Sequence, residues 1–134
     1  MSYRFEYDKT HGILRTCMEG VIGDDEIARF RVEIAKIVSD LHPRACIVDL
    51  SDTKQYDISS ENIRMIGRAA PALPGMSIPV ILVAPAIHIF GSSRMFQIVS
   101  EEKRPWIRVV RSCDEAYQSL EVEPPNFGPL PSSE

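Results

Sequence analysis

The sequence lacks any apolar run long enough to cross a membrane. The longest run, at 79–89, is interrupted by Pro85 and is far shorter than the roughly 20 residues that a membrane helix needs. The N-terminus also lacks the apolar core of a signal peptide. These two absences predict a chain without a membrane span and with a cytoplasmic location.

Cysteine and excess charge are also scarce. The three cysteines are odd in number and far apart, so they indicate neither a disulfide framework nor a CxxC metal site. The net charge is −4, but residues 121–134 hold three acidic and no basic side chains. Residues 1–120 therefore carry 15 basic and 16 acidic side chains. A nearly neutral body lacks the clustered positive charge that nucleic-acid binding requires, so no nucleic-acid partner is expected.

Familiar catalytic and phosphate-binding motifs are missing as well. The sequence has no GxGxxG, no GxxxxGKS/T and no HExxH pattern. His11, His42 and His88 occupy a turn, a helix end and a loop, and their spacing indicates neither a metal site nor a catalytic triad. We therefore expect no cofactor and no metal. An enzyme centred on Cys113 or Asp49 is the least favoured class of function.

The composition that is present is typical of one folded domain. Hydrophobic residues make up 44% and charged residues 25% of the 134 residues, which is ordinary globular usage. This length can bury a core without disulfides. A single domain is predicted over 1–122. The remainder, 123–134, holds four of the ten prolines and is predicted to be a flexible proline-rich tail.

Hydrophobic periodicity predicts the first half of the fold. Alternating aromatic residues near the N-terminus and a second apolar segment at 13–19 predict two antiparallel strands, joined by a turn at 8–12. An apolar stripe at spacings of three and four predicts a helix over 25–41. Continuous apolar runs at 45–48 and 80–84 are typical of parallel strands buried on both faces.

The remaining elements complete an alternating pattern. Helices are predicted over 60–70 and 93–102, and an edge strand over 106–111. Ser112 and Glu115 form a capping box before a last short helix. The order β-β-α-β-α-β-α-β-α predicts an α/β fold with a mainly parallel five-stranded sheet and one antiparallel pair at the N-terminus.

Candidate site residues lie in two loops that follow parallel strands, where such sheets usually bind ligands and partners. The first loop, 50–59, is polar, and a serine at its end is most simply explained as a helix N-cap. Phosphorylation is the alternative, although the adjacent Asp57 and Glu61 would repel a phosphate. The candidate phospho-acceptor and partner residues of this region are Ser59, Ser60, Asp49, Ser51 and Asp57.

The second loop ends in a candidate anion or ligand site formed by Gly91, Ser92, Ser93 and Arg94. A glycine, two hydroxyls and an arginine at a helix start can hold an anion. The simpler interpretation is that Ser92 caps the helix and Arg94 is solvated.

The element order and the strand end Val48-Asp49-Leu50-Ser51 resemble the STAS domain, the fold of bacterial anti-sigma-factor antagonists and of the cytosolic tails of sulfate transporters. The segment 90–96, with 106–111 and 114–116, is similar to stand-alone bacterial STAS-like proteins. That group looks related to CRAL-TRIO lipid-binding domains.

The resemblance implies a phospho-acceptor. Antagonist-type STAS domains open the second helix with Asp-Ser-Ser-Gly, whose first serine is phosphorylated by a partner kinase. The matching stretch here is Ile58-Ser59-Ser60-Glu61. Ser59 matches the acceptor, whereas Ile58 and Glu61 depart from the motif.

The first functional hypothesis is a non-enzymatic regulatory or protein-interaction module, in its narrower form an anti-sigma-factor-antagonist-like switch. Its protein partner is unidentified, and a homodimer is left open. The alternative is a domain that binds a small apolar or anionic, lipid-like ligand between helices and sheet. That alternative is motivated by Phe90, Met95, Phe96, Met65 and Met76, which ordinary core packing also explains.

Overall fold

The elements follow one another in the predicted order. The structure is a computed structural model that describes residues 3–68, 78–103 and 105–131. Within these residues the strands are β1 (Tyr3–Asp8), β2 (Ile13–Gly23), β3 (Ala45–Asp57), β4 (Val80–Val83) and β5 (Ile107–Val110). The helices are α1 (Asp24–Leu41), α2 (Ser60–Arg68), α3 (Ile87–Ser100) and α4 (Cys113–Leu120). The predicted end of the second helix, 69–70, lies outside the described residues.

The five strands form one sheet in the order β1-β2-β3-β4-β5. β1 and β2 are antiparallel, and the other neighbours are parallel. The hairpin turn is stabilised by the Asp8 carboxylate, which accepts backbone N–H groups of Thr10 and His11. Gly12 closes the turn at φ +69°, a conformation that favours glycine. The predicted fold class is confirmed.

β2 and β3 are longer than predicted and pair as far as Gly23 and Asp57. The polar segment after Leu50, expected to be a loop, is therefore largely strand. The Thr53 hydroxyl donates to the buried Met18 carbonyl at 2.9 Å, which anchors the extension. Because β4 pairs only with the first part of β3, the extension has a mostly exposed, polar sequence. Because these polar residues show no strand pattern, the sequence did not predict the extension of β3.

Each face of the sheet has its own set of helices. Alternate strand residues point towards α1, α2 and α3 on one face and towards α4 on the other. Buried on the three-helix face are Tyr3, Leu14, Met18, Ile22, Val38, Cys46, Val48, Leu50, Ala84 and Ile89. Buried on the α4 face are Ile13, Ala45, Ile47, Ile81, Val83 and Ala116.

An aromatic cluster fixes α1 above the first strand. Tyr3 and Phe5 of β1 pack on Phe30 of α1, with ring centroids 5.8 Å and 6.1 Å from it. α3, by contrast, packs over β3 and β5 and against α2. The two main helices of this face are therefore anchored over different parts of the sheet.

α3 begins at Ile87, six residues before the predicted start. The backbone N–H of Phe90 donates to the Ala86 carbonyl at 2.8 Å, which forms the first turn directly after Pro85. The prediction of a helix over 93–102 was wrong at its start because the first turn, 87–90, lies between Pro85 and Gly91 and is too short to show a helical stripe. Gly91, which the sequence analysis places in the preceding loop, sits inside the helix with open space around it.

The C-terminal segment packs against the sheet. Tyr7 and Gly128 exchange backbone hydrogen bonds of 2.9 Å and 3.0 Å along the outer edge of β1. Phe127 joins the α4-face cluster, and Leu130 joins a cluster on the opposite face. Residues 127–130 of the segment predicted to be a flexible proline-rich tail thus contact the sheet, because two apolar side chains find partners on either side of the edge of β1. Residues 132–134 lie outside the described part.

Candidate functional site

The start of α2 holds the residue that the sequence singled out first. The Ser59 hydroxyl accepts the backbone N–H of Asn62 at 3.0 Å, and the Ser59 carbonyl accepts that of Ile63 at 3.0 Å. Ser59 is therefore the N-cap of α2, in agreement with the simpler interpretation. Ser59 and Ser60 are both exposed, so either hydroxyl is accessible to a partner.

The surroundings of Ser59 are acidic. Asp57 and Glu61 are exposed on either side of it in sequence. The Asn62 side-chain amide donates to the Asp24 carboxylate at 2.8 Å, which ties the start of α2 to the start of α1. α1 itself has three acidic residues in its first turn. A phosphate here would gain about 0.3–1 kcal/mol from the helix dipole and would be opposed by these carboxylates.

Asp49 and Ser51 form a separate group. The Ser51 hydroxyl and backbone N–H both donate to Asp49 Oδ1, at 2.5 Å and 3.0 Å. At about 3.3 Å per strand residue, Asp49 is roughly 25 Å from Asp57 along β3. The five predicted residues therefore belong to two places, because the segment joining them is a strand and does not fold back as a loop.

Asp49 lies near two thiols on the α4 face. Cys113 Sγ is 3.8 Å from Asp49 Oδ2, and Cys17 pairs with Asp49 in the sheet register. Burial raises the pKa of the Cys17 thiol to about 11. Burial, followed by the Asp49 carboxylate, also raises the pKa of Cys113. Both thiols are protonated at neutral pH, which is the opposite of what a cysteine nucleophile needs.

The predicted anion site does not form. Gly91, Ser92, Ser93 and Arg94 lie within α3, whose N-terminus is at Ile87, so their backbone N–H groups are not the free donors of a helix start. Ser93 is buried, whereas Arg94 is exposed and donates to the Gln97 side chain at 2.6 Å. The early start of α3 therefore removes the geometry on which this prediction depended.

The alternative hypothesis placed a ligand between helices and sheet, and a cavity of about 290 Å³ lies between the sheet and α1, α2 and α3. Its walls are almost entirely apolar and include Met18, Ile34, Val48, Ile63, Leu82 and Phe96. Its polar lining groups include Arg31, Tyr56, Ser92 and Ser93. The apolar stripes of the helices indicated that this face is buried. They carried no signal of how completely facing side chains fill the space.

A tyrosine hydroxyl and a cysteine thiol also line this cavity. Burial raises the pKa of the Tyr56 hydroxyl to about 12 and that of the Cys46 thiol to about 12. Both therefore remain neutral across the physiological range.

Within the described residues, no group of three or more His, Cys, Asp or Glu side chains is arranged to hold a metal ion. No described helix is long and apolar enough to cross a membrane.

The sheet order, its one antiparallel pair and the helices on both faces define the STAS fold. Solved structures of SpoIIAA share it. The anti-sigma factor antagonist SpoIIAA in its unphosphorylated form superimposes with a TM-score of 0.57 at 17% identity, covering 89% of this chain and 97% of that chain. The Bacillus cell fate determinant SpoIIAA in the phosphorylated form gives 0.56 at 17% identity, covering 88% and 98%. The predicted STAS resemblance is confirmed for the fold.

Comparison by sequence adds nothing to this result. No protein-family model matches the chain, and no curated protein matches it. The likeness therefore concerns architecture, and the chemistry must be argued from this chain's own residues.

Proposed function

We propose that this chain is a non-enzymatic regulatory module that binds a protein partner through the β3–α2 edge, defined as Asp57, Ser59, Ser60 and Glu61. The observation that carries the proposal is the exposed hydroxyl of Ser59 at the start of α2. It stands on a fold shared with an anti-sigma factor antagonist whose phosphorylated and unphosphorylated forms have both been solved. In the narrower form of the proposal, phosphorylation of Ser59 switches partner binding.

The electrostatics of this edge supply a mechanism. A phosphate on Ser59 would add a charge of about −1.5 to −2. It would face the carboxylates of Asp57 and Glu61, and it would stand near the hydrogen bond between Asn62 and Asp24. Repulsion would then weaken the link between the starts of α1 and α2 and change the surface that a partner meets. The switch proposed here acts through repulsion as well as through the helix dipole.

A matched pair of variants separates charge from capping. Asp and Asn are equally good N-caps, so Ser59→Asp and Ser59→Asn preserve α2 while only the first adds a charge. Each variant would be expressed with an affinity tag in the native host, and co-purifying proteins would be quantified by mass spectrometry. We expect one specific partner with the wild type and with Ser59→Asn, and its recovery to fall at least tenfold with Ser59→Asp.

The control is Ser39→Asp, which adds the same charge at an exposed position of α1. It should leave partner recovery unchanged. Equal recovery with Ser59→Asp and Ser59→Asn would contradict the switch, and the absence of any specific partner would contradict the module itself.

We also propose a cytoplasmic location. Sedimentation of the purified protein would decide whether it forms a homodimer.

A further inference from the structure

The last strand of the sheet, β5, has an unpaired outer edge. Its other edge pairs with β4, whose backbone N–H groups donate to the carbonyls of Trp106 and Val110 at 3.2 Å and 2.9 Å. Because a parallel pair uses alternate residues of a strand in this way, Ile107 and Val109 direct their backbone groups away from β4. An edge of this kind is a template on which another strand can pair.

Two side chains close the ends of this edge and leave its middle free. The Gln97 side-chain amide of α3 donates to the Ile107 carbonyl at 3.0 Å. The Arg111 backbone N–H donates to the Glu115 carboxylate of α4 at 3.1 Å. Within the described residues, the outward N–H and carbonyl of Val109 have no partner. An added strand would therefore find its main-chain partners at the centre of β5.

Arginine side chains flank the edge on both faces of the sheet. On the three-helix face, Arg94 donates at 2.6 Å to the same Gln97 side chain that caps Ile107. On the α4 face, Arg108 donates to the Ser119 hydroxyl at 3.2 Å. Both arginines are exposed, and neither makes an ion pair among the residues that the structure describes. Their charges are therefore available to a partner.

The charge of this region indicates what that partner carries. Residues 94–111 contain five basic and two acidic side chains, whereas the whole chain has a net charge of −4. A strand added beside β5 would lie about 4.8 Å away and would point alternate side chains towards the two faces. Acidic residues at adjacent positions would meet Arg94 on one face and Arg108 on the other. A second copy of β5 would bring like charges together, which destabilises a strand pair.

We propose that the β5 edge, defined as Ile107 and Val109 with the flanking Arg94 and Arg108, binds an extended acidic segment of a partner protein as a sixth strand. Main-chain hydrogen bonds hold such a strand, and the arginines select its acidic side chains. This surface goes beyond the proposed function because it shares no residue with the β3–α2 edge. It also differs from the predicted anion site, which required the free N–H groups of a helix start.

A synthetic peptide tests the wild-type chain. The probe is acetyl-Val-Glu-Glu-Val-Glu-Glu-Val-amide, whose glutamates reach both faces of an added strand. It would be titrated into the isotope-labelled full chain while amide chemical shifts and hydrogen exchange are followed by NMR. We expect saturable shifts and slower exchange at Ile107 and Val109, and an affinity that falls about tenfold between about 0.05 M and 0.5 M salt. Unchanged amides at both positions would overturn the proposal.

Two control peptides separate charge from strand pairing and leave the protein unaltered. Replacing every glutamate by glutamine should weaken binding about tenfold, because the ionic pairs with the two arginines are lost. Methylating every peptide nitrogen should abolish binding, because it removes the N–H donors of the added strand. Equal binding of the glutamine peptide would overturn the acidic partner, and equal binding of the methylated peptide would overturn the sixth strand.

A charge exchange then locates the site. The double variant Arg94→Glu and Arg108→Glu should lose the glutamate peptide and gain a peptide with lysine at the same positions. Lys36→Glu, exposed on α1, reverses one charge away from β5 and should bind the glutamate peptide like the wild type. Unaltered affinity of the double variant for the glutamate peptide would overturn the proposal.

The remaining outcomes distinguish this surface from other associations. Shifts at Ile107 and Val109 that depend on protein concentration without peptide would make a second copy the occupant and overturn the acidic partner. Ser59→Asp should leave the affinity for the glutamate peptide unchanged. This proposal and the partner switch at the β3–α2 edge therefore fail independently.

Discussion

The two faces of the sheet are closed by different means. The α4 face has a single short helix, yet Ile13, Ile47, Ile81 and Val83 are almost completely buried beneath it and the Phe127 segment. The opposite face has three helices and still contains a partly open cavity of about 290 Å³. The number of helices on a face therefore does not determine how well that face is packed.

The difference follows from where the helices are anchored. Phe30 holds α1 over β1, whereas α3 is anchored over β3 and β5. The cavity lies between these two helices and the sheet. On the other face, the small side chain of Ala116 allows α4 to approach the strands closely. Close packing of the α4 face therefore depends on how Ala116 fits against the strands.

The largest expected effect comes from two neighbouring residues of β4 that point to opposite faces. Ile81→Ala should lower the free energy of unfolding by about 3 kcal/mol, because Ile81 is fully buried on the α4 face. Leu82→Ala should cost only about 1–2 kcal/mol, because Leu82 is half-buried and adjoins the cavity. Urea denaturation of both variants measures the difference. Equal losses would show that the two faces are packed alike.

A smaller effect tests whether the C-terminal segment helps to close the α4 face. Phe127→Ala should lower the free energy of unfolding by about 1–2 kcal/mol, since it removes a half-buried ring and the cation–π contact with Arg15 at 4.0 Å. Asn126→Ala, at an exposed neighbouring position, is the control and should change stability by less than about 0.5 kcal/mol. If Phe127→Ala left the free energy of unfolding unchanged, α4 alone would close this face.

The smallest expected effect concerns the cavity face. It is absent at neutral pH and appears only in alkaline solution. Burial raises the pKa of Tyr56 to about 12 from its ordinary value of 10.0, and that of Cys46 to about 12 from 9.0. The folded state favours the neutral forms of both groups. Their contribution to the free energy of unfolding is fully present below the pKa values of the unfolded chain, and it is lost as the pH rises from those values towards about 12.

Tyr56→Phe should therefore make the unfolding free energy less sensitive to pH between about 10 and 12. Tyr7→Phe on β1 is a suitable control for the loss of a tyrosine hydroxyl. Chemical denaturation at a series of pH values provides the measurement. Identical alkaline profiles for wild type and Tyr56→Phe would indicate that solvent reaches the Tyr56 hydroxyl through the cavity.

Local patterns were sufficient for the order of the elements and for one site residue. Hydrophobic periodicity, continuous apolar runs and one capping box identified the strands and helices that the structure describes. Ser112 caps α4 by accepting the Glu115 backbone N–H at 3.2 Å, as predicted. Ser59 caps α2 for the same reason, because a side-chain oxygen at a helix start satisfies donors only two or three residues away. Local chemistry of this kind can be inferred from sequence.

Errors arose wherever neighbours from distant parts of the chain decided the outcome. The first turn of α3 is held by β3 and the core, since His88 Nε2 lies 2.6 Å from the Lys54 carbonyl and Ile89 is buried. The polar end of β3 is held as a strand by pairing with β2. The C-terminal segment packs because β1 offers an open edge. The cavity depends on distances between three helices, a quantity that no local pattern encodes.

The pairing of Tyr7 with Gly128 has a consequence for the order in which the molecule is assembled. β1 leaves the ribosome before its outer neighbour, because Gly128 follows Tyr7 by 121 residues. Since domains form from the N-terminus during synthesis at about 5–20 residues per second, the outer edge of β1 stays open for several seconds. During that interval the nascent sheet exposes a strand edge to other nascent chains, and the arrival of the C-terminal segment ends this exposure.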